Sequence, residues 1–175
     1  VWNGEDPHRS KINKLAFEKW TELLNRGAKI AATYGRDWHQ TETTKQVAAL
    51  YLYLPEQATL HDIKRAIKNG HSYISMGPKI NMYANEHCIS GDTISLSEQE
   101  SIMLDLEITE YNDSYTIVLD SNIGAIYRHE CTGAINKKIK VENTFGRQHL
   151  TWLRLLIYSS RKELIAFTNP IYIDV

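Results

Sequence analysis

Two side chains that can bind metal ions, Asp37 and His39, lie two residues apart in the segment YGRDWHQ at positions 34–40. In an extended chain, residues two apart point to the same side. The Asp37 carboxylate and the His39 imidazole would then converge on one point, as the ligands of a hard or borderline metal do. A D-x-H pair also occurs where the aspartate caps a turn and the histidine pairs with it. Taken alone, the spacing favours this structural interpretation.

The run AKIAATYG, residues 28–35, is apolar and predicts a short buried strand that ends just before the pair. In open α/β sheets and barrels, active sites lie beyond the carboxyl ends of the strands. A helix is predicted ahead of this strand, from a cap at Ser10 to about Arg26, with Gly27 ending it. The apolar residues at helical spacing are Ile12, Leu15, Ala16, Trp20, Leu23 and Leu24.

Two further strands and a helix are predicted before Pro78. AALYLYLP, residues 48–55, is a second apolar run, and HSYISMGP, residues 71–78, predicts a strand followed by a tight turn. Between them, Thr59 and Asp62 have the spacing of a capping box for a helix that Gly70 ends. Residues 1–78 therefore have the pattern of an α/β region.

After Pro78 the hydrophobic pattern changes to a period of two. In IMLDLEITEY, residues 102–111, apolar side chains alternate with polar ones, and similar segments follow, separated by turn sequences. Short alternating strands at this spacing predict an antiparallel sandwich over residues 79–175. Leu153, Leu155 and Ile157 are predicted to line its core, and the opposite face of that strand carries Trp152, Arg154 and Tyr158. The fold class is thus α/β followed by all-β.

Composition narrows the functional classes. The net charge of the 175 residues is -1, so nothing indicates a nucleic-acid or membrane-surface partner, and no apolar run has the length of a membrane span. Cys88 and Cys131 are too few for a disulfide scaffold, and two unpaired thiols are favoured over one bridge. These features favour the cytoplasm, with a secreted or periplasmic location left open. The abrupt start at VWNG leads us to expect further polypeptide upstream.

Four segments occur in order along the chain: VWNG, NKLAFEKWTELLNRGAKIAATYGRDWH, AIKNGHSYISMGP and AFTNPIYI. In this order and spacing they resemble the C-terminal half of a metallohydrolase of the PHP (polymerase and histidinol phosphatase) family. The chain is most similar to the carbaryl-hydrolase-like branch, whose members append a β-rich tail after the GP turn. The resemblance covers essentially the whole chain, more closely over residues 1–78. It implies the C-terminal part of a distorted (β/α)7 barrel, followed by an appended antiparallel sandwich-like region.

The resemblance also implies a cluster of two or three metal ions, whose last ligand pair maps onto Asp37 and His39. These two residues are therefore the expected catalytic metal ligands. The family's opening H-x-H motif and its middle Glu and His ligands have no counterpart in this sequence, and the resemblance implies that they lie upstream of Val1. Zinc, manganese and iron all suit such ligands. The implied reaction is phosphoester hydrolysis by a metal-activated water, with ester or carbamate hydrolysis left open.

Three further residues are candidates for substrate binding. Arg36 stands where the family often has serine, and its guanidinium would either hold a phosphate or carboxylate group or turn outward into solvent. His71 would bind an anionic group or start a strand at the surface. Asn3 would line the site or form part of an Asn-Gly turn. Asn13 is expected to cap or brace a loop, and His8 is expected to be exposed.

Two other functions stay open for the sequence. In one, the sandwich is a non-catalytic module that binds a carbohydrate or a protein partner. In the other, the chain is a folded part of the enzyme with no activity of its own, because a usable site needs three or more protein ligands. The expected partner of the intact enzyme is a small phosphoester or ester. Exposed sheet edges predict a homo-oligomer, which light scattering after size-exclusion chromatography would detect as a dimer or larger species.

Overall fold

The structure, a computed structural model, describes residues 1–39, 47–97, 100–145 and 148–174. These residues form mostly β-structure, with two α-helices among them. Neither helix has both the length and the apolar composition needed to cross a lipid bilayer. The predicted order, an α/β region followed by a β-rich region, is confirmed at this level.

The two α-helices before Pro78 begin directly after their predicted capping residues, Ser10 and Thr59. The elements of this region are β1 (Trp2–Asn3), a 3-10 turn (Pro7–Arg9), α1 (Lys11–Asn25), β2 (Tyr34–Gly35), β3 (Ala49–Leu52), α2 (Leu60–Asn69) and β4 (Ser72–Ser75). The Ser10 hydroxyl accepts a bond from the Asn13 N–H at the start of α1. Thr59 and Asp62 form a complete capping box on α2, and Gly70 ends that helix with φ +77°.

The remaining strands are β5 (Lys79–Ala84), β6 (Thr93–Ser95), β7 (Ser101–Thr109), β8 (Ser114–Ser121), β9 (Gly124–Thr132), β10 (Ile135–Glu142), β11 (Thr144–Phe145), β12 (Gln148–His149), β13 (Trp152–Ser159), β14 (Leu164–Thr168) and β15 (Ile171–Asp174). The alternation predicted for β7 is confirmed, because Leu104, Leu106 and Ile108 are all buried. These inward side chains help to fill the core between two sheets.

The larger sheet has the strand order β3-β4-β14-β13-β15-β6, with β8 also paired to β13 and β9 paired to β8. The smaller sheet has the order β10-β7-β5 and packs against it. Ser75 of β4 pairs with Ala166 of β14, so strands from both sides of Pro78 share the larger sheet. The two sequence regions are therefore joined by backbone hydrogen bonds.

Strand β13 lies between two hydrophobic cores. Leu153, Leu155 and Ile157 face the core between the sheets, as predicted. On the opposite face, Trp152 and Leu156 pack with residues of α1 in a second core. Because α1 covers this face, the larger sheet is buried on both sides at its centre, unlike a sandwich sheet with one solvated face.

Two predictions for the first region are wrong. Residues 28–33 are not a strand, and only Tyr34–Gly35 pairs with β1. The backbone of Ala32 instead bonds the side chain of Asn169, whose Oδ1 accepts from the Ala32 N–H at 2.6 Å. On α1, Ile12 and Leu15 are 77% and 64% exposed, so they do not belong to the buried face. That face carries Trp20 and Leu24.

Candidate functional site

Strands β1 and β2 run parallel and end at the same edge. Trp2 pairs with Tyr34 and Asn3 pairs with Gly35. The residues that follow the two strands, among them Arg36 after β2, therefore start close to each other. A Cβ atom added to Gly35 would lie 3.0 Å from the Asn3 Oδ1, so glycine allows the Asn3 amide to lie directly against the neighbouring strand. The structure thus places Asn3 beside Gly35, two residues before Asp37.

Asn13 holds the end of β1 in place from the first turn of α1. Its Nδ2 donates to the backbone oxygens of Asn3 at 2.8 Å and Pro7 at 3.2 Å, and its Oδ1 accepts from the Asn3 N–H at 3.2 Å. The side chain is 4% exposed, so these bonds satisfy a buried amide. The predicted bracing role of Asn13 is confirmed.

Asp37 has a left-handed backbone, with φ +53°, so the extended geometry expected for the D-x-H segment is wrong at its first residue. The two side chains nevertheless lie together. The His39 Nδ1 is 2.7 Å from the Asp37 backbone oxygen and 3.7 Å from its Oδ1. The left-handed backbone at Asp37, not an extended strand, accompanies this approach of the imidazole to the carboxylate.

The hydrogen bond to the Asp37 carbonyl determines which His39 nitrogen can bind a cation. A carbonyl oxygen only accepts, so Nδ1 carries the proton in this bond. The Nε2 of the neutral ring then presents its lone pair, and a metal-binding histidine is commonly oriented in this way by a backbone carbonyl. Both side chains are open to solvent, at 54% exposed for Asp37 and 76% for His39.

Arg36 turns toward the loop that follows β1. Its Nη2 lies 3.6 Å from the Glu5 Oε1, and its side chain is 41% exposed. Its Nε is buried and has no hydrogen-bond partner within the described part of the chain. The guanidinium therefore keeps unused donor capacity beside Asp37. Trp38, which lies between Asp37 and His39 in the sequence, is 60% exposed.

His71 is not brought to this edge. Its Nε2 lies 3.0 Å from the Asp92 Oδ1, at the mouth of a 360 Å³ cavity that Lys29 and Lys68 also line. Ala31, six residues before Asp37, lines the same cavity. His71 is thus placed near the start of the segment that ends at the D-x-H pair, bound to a carboxylate of its own.

The donor types of the pair suit a divalent cation, but their number is small. Among the described residues there is no group of three or more His, Cys, Asp and Glu side chains that could hold a metal ion. Asp37 and His39 together supply one carboxylate and one imidazole, against the three or more protein ligands of a usable catalytic site. The pair fits a metal centre as two of its ligands.

Sequence reasoning was wrong about the exposure of His8 and missed the role of Asn169. His8, expected to be exposed, has a side chain only 1% exposed, because the loop after β1 folds it against the protein. Asn169 holds the segment before Asp37, and its only sequence signal was its place in AFTNPIYI. Cys88 and Cys131 form no disulfide, as predicted.

Comparisons of the chain with protein-family models, curated proteins and solved structures gave no match.

Proposed function

We propose that the chain is the C-terminal part of a PHP-type metal-dependent hydrolase and that Asp37 and His39 are the last ligand pair of its metal centre. The observation that carries the proposal is the 2.7 Å distance between the His39 Nδ1 and the Asp37 backbone oxygen, a contact that with the proton on Nδ1 leaves the Nε2 lone pair for a metal.

The position of the pair supports the same function. It follows the carboxyl end of β2, which is parallel to β1, and such strand ends are the usual place of active sites in α/β folds. The exposed carboxylate and imidazole can both reach a cation without burying charge. Buried hydrogen bonds from Asn13 hold the end of β1, the strand that pairs with β2. The strand pair that precedes the two ligands is therefore fixed.

Asp37, His39, Arg36 and Asn3 would each have a separate role in the reaction. A metal bound there would lower the pKa of a water molecule and polarise the oxygen under attack. The Asp37 carboxylate and the His39 Nε2 would hold the cation, and the hydrogen bond between the His39 Nδ1 and the Asp37 backbone oxygen would orient the ring. Arg36 would bind an anionic oxygen of the substrate through the exposed part of its guanidinium, since its side chain is 41% exposed. Asn3 adds an amide at the same edge.

The substrate class that suits this arrangement is a phosphoester, because a guanidinium beside a cation stabilises phosphoryl oxygens. The remaining ligands are proposed to lie on polypeptide N-terminal to Val1, as the family resemblance implies. His71 has no part in the proposal, since its imidazole is bound to Asp92 away from the pair.

The test is metal binding by the chain itself, measured by isothermal titration with Zn²⁺ and with Mn²⁺. We expect weak binding to the parent and none to the Asp37→Ala/His39→Ala variant. The matched control is Glu86→Ala/His87→Ala, which removes another exposed carboxylate and imidazole. Equal binding by the parent and the Asp37→Ala/His39→Ala variant, or no binding by the parent, would contradict the proposal. Hydrolysis of p-nitrophenyl phosphate against p-nitrophenyl acetate by the N-terminally extended protein then tests the substrate class.

A further inference from the structure

Strand β3 lies at one edge of the larger sheet, and among the described residues it pairs only with β4. The Tyr53 N–H, directly after the strand, donates to the His71 backbone oxygen. Alternate residues of an antiparallel strand bond to the same neighbour, so Tyr51 also directs its backbone groups toward β4. The N–H and C=O groups of Leu50 and Leu52 therefore point away from the sheet, where a further strand can bond them.

The segment that contains β3 is apolar and carries no charge. Residues 47–55, VAALYLYLP, include neither an acidic nor a basic residue. Val47 before the strand and Leu54 after it are each 38% exposed, and Ala49 at its start is exposed as well. An exposed apolar edge strand without charges favours pairing with another strand.

The other sheet edges in the described part of the chain are protected against such pairing. Strand β6 has three residues, and very short edge strands limit pairing. Charged side chains lie on the remaining edge strands, and they are Lys79 on β5, Arg128 and Glu130 on β9, and Lys137, Lys138 and Lys140 on β10. Two copies of β10 would bring like charges together, whereas two copies of β3 would not.

The backbone of β3 fits a second copy of itself. In an antiparallel pair with two-fold symmetry, Leu50 would bond Leu52 of the partner subunit, and Leu52 would bond the partner's Leu50. The symmetry axis then passes beside Tyr51, which faces Tyr51 of the partner subunit.

The Tyr51 ring is placed to continue an aromatic stack across this axis. Within one chain it stacks on Tyr73, the residue opposite it on β4, with 4.8 Å between ring centroids and 4° between the ring planes. Neighbouring strands are separated by about the same distance. The contact between Tyr51 and Tyr73 can therefore be repeated between the two Tyr51 rings.

We propose that two copies of the chain associate by antiparallel pairing of their β3 strands, with the axis at Tyr51, so that their larger sheets become one continuous sheet. A strand of another protein could bond the same backbone groups, but self-pairing matches the register and brings no like charges together. The association uses neither Asp37 nor His39, so it is independent of the metal centre proposed above.

The first test is light scattering after size-exclusion chromatography, over a range of protein concentrations and in the presence of EDTA. EDTA prevents a metal ion from bridging two chains through Asp37 and His39. We expect the parent to have twice the mass of one chain. Val47→Lys/Leu54→Lys should raise the dissociation constant of the dimer about tenfold or more, because the lysines of one copy would face those of the other.

The matched control is Tyr83→Lys/Met103→Lys. It introduces the same two lysines at apolar positions of the smaller sheet that are about as exposed, at 37% and 40%. This variant should remain a dimer. Urea denaturation of both double variants checks that each stays folded.

The second test concerns the register of the pair. The two Tyr51 residues would lie opposite each other at a position without mutual hydrogen bonds, where Cα atoms are about 4.5 Å apart, a distance that a disulfide spans. Tyr51→Cys should therefore give a disulfide-linked dimer with oxidised glutathione, visible on a non-reducing gel. Ala49→Cys, on the same strand, would face Tyr53 of the partner subunit and should not cross-link. Both variants also carry Cys88→Ser, because Cys88 is the less buried of the two free thiols.

Any of the following results would overturn the proposal. They are a parent that stays monomeric or forms species larger than a dimer, a dimer that the Val47→Lys/Leu54→Lys variant retains, and cross-linking of Ala49→Cys as readily as Tyr51→Cys. A monomeric N-terminally extended protein would overturn it too, because upstream polypeptide would then cover β3.

Discussion

Arg154 of β13 and Asp120 of β8 form an ion pair beneath α1. The Arg154 Nε and Nη2 lie 3.0 Å and 2.7 Å from the Asp120 Oδ2, and Nη2 also donates to the Thr21 hydroxyl of α1 at 2.9 Å. The guanidinium packs over three aromatic rings at 4.4–5.0 Å, those of Phe17, Trp20 and Trp152. One buried cation thus links two strands of the sheet to the helix that covers them.

Asp120→Ala should strongly destabilise the protein. The Arg154 side chain is 2% exposed, and without Asp120 its charge would remain buried and unpaired. Removing one partner of a buried ion pair costs about 3–5 kcal/mol of the free energy of unfolding, measurable by urea denaturation. The control is Asp105→Ala, whose partner Lys138 is 74% exposed, and we expect a loss below about 1 kcal/mol. Similar losses for the two variants would show that the buried pair has no special role.

Asn169→Ala should loosen the segment that leads to Asp37. The Asn169 amide bonds both the N–H and the oxygen of Ala32, and it also donates to the Ser72 hydroxyl at 2.9 Å. Each buried group left unpaired costs about 1–3 kcal/mol. We expect a lower free energy of unfolding and faster hydrogen exchange over residues 28–35.

Asn81→Ala provides the control for that substitution. Asn81 is also an asparagine with a side-chain hydrogen bond, to Glu107 at 2.9 Å, but it is exposed at the surface. Its replacement should change stability by less than about 0.5 kcal/mol and leave exchange over residues 28–35 unaltered. Equal exchange in all three proteins would mean that Asn169 does not hold the segment.

Gly91→Ala should be far more costly than Gly124→Ala, although both glycines have a left-handed backbone, with φ +92° and +94°. At Gly124 an added Cβ meets nothing within 4 Å, so the cost is conformational, about 1–2 kcal/mol. At Gly91 it would collide with the Asn69 carbonyl oxygen and lie 2.8 Å from the Gly70 carbonyl carbon. We expect an additional loss of about 1–3 kcal/mol by denaturation, and equal losses would remove the packing argument.

Local sequence signals predicted the elements well. The caps at Ser10 and Thr59 and the alternation in β7 depend on nearest neighbours along the chain, and all three are confirmed. The errors arise where contacts with residues distant in the sequence determine the structure. Ile12 and Leu15 have the apolar spacing of a buried helical face, but α1 lies on the sheet through Trp20 and Leu24. The spacing of apolar residues alone does not determine which of two apolar faces of a helix packs against the core.

For the candidate site as well, the sequence predicted local features and did not predict those that depend on distant contacts. The sequence placed Asp37 and His39 beyond the end of a strand and left Asn3 open between lining the site and forming a turn. In the structure β1, which ends at Asn3, pairs in parallel with β2, which ends at Gly35. The sequence did not predict the left-handed Asp37 or the Arg36–Glu5 contact, because both depend on how the loops fold after the strands. For His71 the sequence left a role in anion binding and a place at the start of a surface strand open, and its partner Asp92 is 21 residues away in sequence.

The stability of the protein should fall between about pH 7 and pH 5 because of His8. An unfolded histidine has a pKa of about 6.5. Burial lowers the pKa of His8 in the folded state, with a smaller contribution of the same sign from Arg9 and opposing ones from Glu163 and Asp6. As the pH falls through 6.5, the unfolded chain therefore binds a proton that the folded chain does not, and unfolding becomes easier. The slope is at most about 1.4 kcal/mol per pH unit for one proton.

Urea denaturation at several pH values tests this, with His8→Phe compared to the parent. The variant should lose the pH dependence in this window, whereas His61→Phe, at an exposed position, should retain it. The carboxylates whose pKa is lowered by hydrogen bonds, those of Glu22, Asp62 and Glu100, titrate below about pH 4.5 and do not interfere. A parent protein whose stability is the same at pH 7 and pH 5 would show that His8 takes up its proton as readily in the fold as in the unfolded chain.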